Sequence, residues 1–168
     1  MKKIGLLLIL VSLFTYQSCG IYSFTGTNIN PDVKTIQIGY FPNESILVEP
    51  SLSQVFTTQF RDLFDTQTNL TSVSSGGDLQ FEGEITGYKI SPMTATAEQT
   101  AAQNRITITV NVRFFNNKLE EDNFERSFSY YYDFPANLSL TGNLLSDAYD
   151  EILERITQDI YNASIAKW

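Results

Sequence analysis

The chain has no histidine, one cysteine and one tryptophan in 168 residues. Without histidine there is no Ser-His or Cys-His nucleophile system and no imidazole to ligate a metal. A single cysteine forms no internal disulfide, so the fold must rest on packing alone. Positive charge is scarce too. With Lys2 and Lys3 set aside, nine basic side chains face nineteen acidic ones, a net charge near −10. Those nine are scattered, and no basic stripe exists whose counterion release would hold nucleic acid. Nucleic acid is therefore not an expected partner, and an anionic ligand could be engaged only locally. Carboxylates are plentiful but do not converge. Glu82 and Glu84 stand two apart on one strand and point the same way, whereas a glycosidase pair must flank its bond at about 5–9.5 Å. Gly76-Gly77 is not followed by Lys-Ser/Thr, which excludes a phosphate loop. No enzyme is expected.

What is present begins at the N-terminus. Lys2-Lys3 precede an apolar run over residues 4–14, and the small Ser18 sits directly before Cys19. This is the layout of a secretory signal peptide. Its length of eleven mostly apolar residues falls short of the roughly 20 that a membrane-spanning helix needs, so removal is expected. The segment resembles a bacterial lipobox, in which cleavage exposes the cysteine for lipid attachment. Tyr16 stands where most lipoboxes carry an aliphatic residue, as in the relaxed versions of the Bacteroidetes. The rival reading of Cys19 is a free thiol, a liability in an oxidising compartment. Each buried acyl methylene adds about 0.8 kcal/mol of membrane affinity, and stable anchoring needs more than one chain. Acyl chains on Cys19 are thus the expected tether, and no other cofactor is implied. Residues 20–26 carry no charge. They lack the acidic patch that looks like a surface-export signal in Bacteroidetes-type lipoproteins, so a periplasmic position is expected. The organisation is residues 1–18 as signal peptide, 19–30 as lipidated cysteine and linker, and 31–168 as one domain.

Within that domain, residues 35–40 alternate as a strand, stopped by Phe41-Pro42-Asn43. Ser51 to Gln54 is a capping-box pattern. Leu52, Val55, Phe56, Phe60, Leu63 and Phe64 then recur at helical spacing up to about Gln67. Residues 69–73 form a short strand candidate. Residues 79–90 alternate cleanly to Ile85, and Gly83 and Gly87 suggest a bulge or bend where the apolar face changes sides. Residues 91–104 read either as a long mobile loop or as strand extensions around a wide hairpin. Residues 105–115 are the strongest strand, with Ile106, Ile108, Val110, Val112 and Phe114 on one face and Arg105, Thr107, Thr109, Asn111 and Arg113 on the other. After an acidic turn, residues 123–134 return as its antiparallel partner. Beyond Pro135 a long amphipathic helix, capped by Thr141 or Asn143, closes the chain.

Two amphipathic helices need one apolar surface to cover, and each strand offers one apolar face. The expected fold is α+β, a two-layer sandwich: a mainly antiparallel sheet of four or five strands with two helices packed on one face. The other sheet face, with its threonines, Arg105 and Arg113, is left polar.

Taken in order, several motifs resemble one family. They are Cys19 followed by Gly20-x-Tyr22-x-Phe24, Ile36-x-Ile38 with Phe41-Pro42-Asn43, and the helix from Ser51 to Phe64. Asp78-Leu79-Gln80-Phe81-x-Gly83-x-Ile85-x-Gly87-Tyr88, Asn104-Arg105-Ile106-Thr107-Ile108-Thr109-Val110 and the last helix complete the set. Together they look like LptE, the lipopolysaccharide-assembly lipoprotein, in a Bacteroidetes-like version. The resemblance implies an outer-membrane lipoprotein on the periplasmic side that plugs and helps assemble the β-barrel translocon LptD and contacts lipopolysaccharide. Arg105, Arg113 and Lys89 are the physical candidates for contacts to the barrel or to lipopolysaccharide. The competing reading is a lipid-anchored periplasmic module gripping a glycan or peptide with Phe128, Tyr130 and Tyr132. A structural factor of the barrel-assembly machinery is a third.

Overall fold

The computed structural model describes residues 29–47, 49–93 and 102–165. Cys19, the signal segment and the aromatic linker around Tyr22 and Phe24 lie outside the described residues, as do Lys167 and the centre of the 91–104 segment. In chain order the elements are β1 (Thr35–Ile38), α1 (Leu52–Gln67), β2 (Thr71–Ser72), β3 (Leu79–Met93), β4 (Gln103–Asn116), a short 3-10 turn (Glu120–Asp122), β5 (Phe124–Pro135) and α2 (Asn143–Ser164).

The sheet has five strands in the order β2-β1-β3-β4-β5. It is mixed, which corrects the expectation of a mainly antiparallel sheet: β1 runs parallel to both of its neighbours, while β3, β4 and β5 are antiparallel. The cause is the connection. The chain leaves β1, climbs through α1 and returns as β2, a helical crossover that delivers a parallel neighbour. β3, β4 and β5 follow one another in the chain and each pairs with its sequence neighbour, the arrangement that antiparallel strands permit.

The apolar face of the sheet and one face of each helix enclose a single core. Phe56, Phe60 and Phe64 of α1 are fully buried. Phe60 meets Phe41, Phe64 and Phe81 edge-on at ring-centroid separations of 5.9, 5.2 and 5.2 Å. Edge-to-face contact at such distances is the favoured arrangement of aromatic quadrupoles. From α2, Ile152, Leu153, Ile156 and Ile160 cover Ile106, Ile108, Val110 and Val112 of β4, all buried.

Both helix starts differ from the sequence expectation. Ser51 already has helical angles (φ −78°, ψ −25°) and makes no side-chain cap. Its hydroxyl instead donates to Glu49 Oε1 at 3.1 Å, because a helical residue cannot swing its Oγ to the free amides ahead. At α2 the cap position is Gly142, neither Thr141 nor Asn143, with φ +58°. A backbone there favours glycine over any side chain.

The bulge is where the glycines placed it, between Ile85 and Gly87. It transfers the core-facing set of β3 from Phe81, Gly83 and Ile85 to Tyr88 and Ile90. The 91–104 segment resolves at its ends into strand extensions, since β3 runs to Met93 and β4 starts at Gln103.

Asp78 joins β1, β3 and the β4–β5 turn. Its carboxylate accepts from the Lys34 amide at 2.9 Å, the Thr35 amide at 3.0 Å and the Thr35 hydroxyl at 2.9 Å. Lys118 Nζ lies 3.0 Å from its other oxygen. The amide of Lys34, then the Lys118 ammonium and the Thr35 hydroxyl, hold the Asp78 carboxyl well below the usual carboxylate range.

Candidate functional site

The face of the sheet turned away from the helices is mainly polar, with Phe115 and Tyr131 as exposed aromatic rings on it. On β4 it presents Arg105, Thr107, Thr109, Asn111 and Arg113, as the alternation required. The hairpin registers place β3 and β5 residues beside each of them. Ser91, Arg105 and Asp133 form one row, Lys89, Thr107 and Tyr131 the next, and Glu82, Arg113 and Glu125 the row near the opposite end.

Arg105 is bonded bidentately to Asp133, with Nε–Oδ1 and Nη2–Oδ2 both at 2.7 Å. Its guanidinium carbon lies 3.6 Å from the centroid of the Tyr131 ring. The hydrogen bonds it donates to Asp133 hold the guanidinium in its charged form more firmly still. Lys89 stands one row away. Among the described residues it has no carboxylate at ion-pair distance, unlike Arg105, Arg113 and Lys118. The three side chains Lys89, Arg105 and Tyr131 thus form one cationic and aromatic patch, with Asp133 as its acid among the described residues.

Arg113 does not belong to this patch. It sits eight residues from Arg105 on β4, a separation of about 27 Å at the rise of an extended strand. It is bound to Glu84, with Nη1–Oε2 at 2.9 Å, and Asn111 Nδ2 bridges Glu84 and Glu125 at 3.1 and 2.9 Å. With Glu82 alongside, this end of the face is net acidic. Glu82 and Glu84 therefore act as the solvated outer face, one of them as an arginine partner. Between the two ends, Thr109 and Ser129 share a hydrogen bond of 3.0 Å.

Sequence reasoning did not single out Tyr131 and Asp133. Their roles depend on the β4–β5 register, which the strand pattern leaves free until the turn is known. The aromatic grip proposed for a glycan or peptide is not available. Phe128 is buried, and Tyr130 and Tyr132 are half-buried against the core. Tyr130 also carries Arg155 of α2 over its ring at 5.6 Å.

The described residues contain no group of three or more histidine, cysteine, aspartate or glutamate side chains placed to hold a metal ion. No helix among them is long and apolar enough to cross a membrane.

A family model for LptE, lipopolysaccharide-assembly, matches residues 33–164. The chain belongs to the LptE family. That family is a non-enzymatic one of lipopolysaccharide-assembly lipoproteins, and it places the chain in that process. A hypothetical protein from Chlamydia trachomatis shares the LptE-like fold seen here at a TM-score of 0.55 and 9% identity, over 80% of this chain and 99% of that one. Two further similar structures are the rare lipoprotein B from Shewanella oneidensis and lipoprotein GNA1162 from Neisseria meningitidis. The first has a TM-score of 0.43 at 10% identity, over 76% of this chain and 89% of that chain. The second has a TM-score of 0.42 at 12% identity, over 77% and 99%. No curated protein matches the sequence.

Proposed function

We propose that this LptE-family chain is anchored by acyl chains on Cys19 at the periplasmic face of the outer membrane. There it plugs and supports an LptD-type β-barrel through which lipopolysaccharide is assembled. The observation that carries this reading is the outer sheet face. Large outer-membrane barrels have polar interiors. A plug for such a lumen needs a polar surface whose charges are already matched, because an unpaired charge loses its hydration on docking. The outer face meets this for its two arginines, Arg105 matched by Asp133 and Arg113 by Glu84, and leaves Lys89 and the surplus carboxylates of the Arg113 end to be matched by a partner. The patch of Lys89, Arg105 and Tyr131 is our assignment for a contact to the anionic groups of lipopolysaccharide. Arg113, set among Glu82, Glu84 and Glu125, belongs to the barrel-facing surface in this reading.

The chain enters the domain near Ile29, beside Leu79 and Asn116. Lys89 and Ser91 lie towards the other end of β3, about 34–41 Å from Leu79 at the rise of an extended strand.

The test is gentle detergent extraction of the tagged, lipidated protein, followed by mass spectrometry of what accompanies it. A large barrel recovered at near one-to-one ratio supports the plug. Protein recovered alone, with lipid on Cys19, overturns the plug and leaves only the anchor.

A further inference from the structure

β3 is longer than its neighbour. The chain that follows β1 stays alongside β3 only as far as Ile85, where the Ile85 amide donates to Pro42 O at 2.8 Å and its carbonyl accepts from Glu44 N at 2.9 Å. Asn43 and Ile85 form the last bridge. β3 continues to Met93, still paired with β4 but with no backbone partner on its other side among the described residues. Exposure changes at the same point. Up to Ile85 every second residue of β3 is buried, and from Thr86 onward none is.

The direction of the free groups follows from Pro92. Proline has no amide hydrogen, so inside a sheet it fits where that hydrogen would point away from the ladder. By alternation, Tyr88 and Ile90 also aim their N–H and C=O groups at the open side. The bulge agrees, because it shifts the parity by one. Ile85 bonds outward before it, and the even-numbered residues do so after it.

The side chains around this edge have a distinct pattern. On the helix side Ile90 is 41% exposed, and Ile46 and Leu47 are exposed where the edge begins. A turn holds these two in place, in which Ser45 N–H donates to Asn43 Oδ1 at 3.1 Å and Ser45 Oγ donates to Leu47 O at 2.6 Å. On the outer side stands Lys89, without a carboxylate at ion-pair distance among the described residues.

We infer that the open edge of β3 at residues 86–93 takes up a short extended segment of the barrel partner as an added strand. The segment would carry apolar side chains beside Ile90 and acidic or neutral polar ones beside Lys89. Strand addition draws affinity from main-chain hydrogen bonds and specificity from alternate side chains. A second copy of this chain fits poorly, since antiparallel self-pairing centred on this edge sets the two Lys89 side chains against or next to each other on one face. Lys89, Pro92 and the bulge are the devices that keep an edge from associating with itself. Among the described residues they leave the groups of Tyr88 and Ile90 open to a partner of complementary charge. The inference rests on the barrel partnership proposed above.

The experiment is hydrogen exchange of the full-length lipidated protein, alone and in the purified complex with its barrel. Two variants accompany it. Ile90→Pro removes an outward amide while sparing the β4 ladder, and Ile90→Ser removes the apolar side chain but keeps that amide. The expected result is exchange over residues 86–93 slowed by about tenfold or more in the complex. Ile90→Pro should keep the melting temperature of the free protein yet recover about tenfold less barrel, with Ile90→Ser intermediate. If wild-type protein recovers no barrel, the partnership and the inference both fall. If the barrel is recovered while residues 86–93 exchange as fast as in the free protein, strand addition is overturned and the partnership stands.

Discussion

Arg105 and Asp133 face each other across β4 and β5, joined by two hydrogen bonds of 2.7 Å, with Tyr131 beneath the guanidinium. The pair makes charge reversal at position 105 a double insult. Arg105→Glu removes a cation and sets two carboxylates opposite one another on adjacent strands, which is destabilising. Loss of partner binding by that variant alone would not separate a contact from a fold defect. The swap does separate them. Arg105→Glu should lower the melting temperature, and adding Asp133→Arg should restore most of the loss, measured as a double-mutant cycle. The swapped protein keeps its net charge but moves the cation off the face of Tyr131. Lipopolysaccharide titration should remain weak in it if Arg105 makes the contact. Wild-type titration in the swapped protein would remove Arg105 from that role.

The acid end of the pH range should report on Asp78. Its folded carboxyl titrates below the ordinary 3.8 because amides, a hydroxyl and Lys118 all favour the charged form. A depressed folded pKa contributes stability that is complete above the unfolded value and is lost as pH falls below it. Wild-type protein should therefore lose melting temperature steeply as pH drops from about 4. Asp78→Asn should start lower at neutral pH and show a flatter acid limb. Equal slopes for the two proteins would mean that other carboxylates drive acid unfolding.

The alternation of β4 was legible because its apolar and polar residues separate without an exception from Arg105 to Phe114. So was the outer position of Lys89, Arg105 and Arg113 once Gly83 and Gly87 had signalled the bulge. Pairing was harder to read. Nothing in the residues of β1 distinguishes a parallel from an antiparallel neighbour, and it is the α1 crossover that decides. Likewise Asp133 reads as one acid at the end of an aromatic strand until the register sets it opposite Arg105. Ser51-x-x-Gln54 matched a capping box by spacing, but the turn begins earlier, with the Leu52 amide bonded to Glu49 O at 3.3 Å. Local chemistry was right about where the helix starts and wrong about which atoms satisfy its end.

Gly83 sits where β3 and β4 press against Phe41. A Cβ at this position would run into the Asn111 carbonyl oxygen and the Phe41 ring. The first is backbone and the second is fully buried, so neither yields easily. Gly83→Ala should destabilise the domain by about 1–3 kcal/mol, the usual cost of overpacking a filled core. Urea unfolding followed by circular dichroism measures it. A neutral result would mean that the strands separate there without loss.

Tyr149 offers the opposite case, a group whose removal should help. The side chain is buried in α2, and its hydroxyl makes no well-formed hydrogen bond among the described residues, although Tyr88 lies near enough to act on it. Burial is the main reason its pKa lies above the ordinary phenol value, with Tyr88 and Glu49 adding to it. An unsatisfied buried hydroxyl has given up its bonds to water and gained none in return, whereas phenylalanine keeps the ring contacts and leaves nothing unpaired. Tyr149→Phe should therefore raise stability by up to about 1 kcal/mol, seen as a higher urea midpoint with an unchanged slope. A fall of similar size would show that the hydroxyl is bonded in solution, with Tyr88 the first residue to substitute in search of the partner.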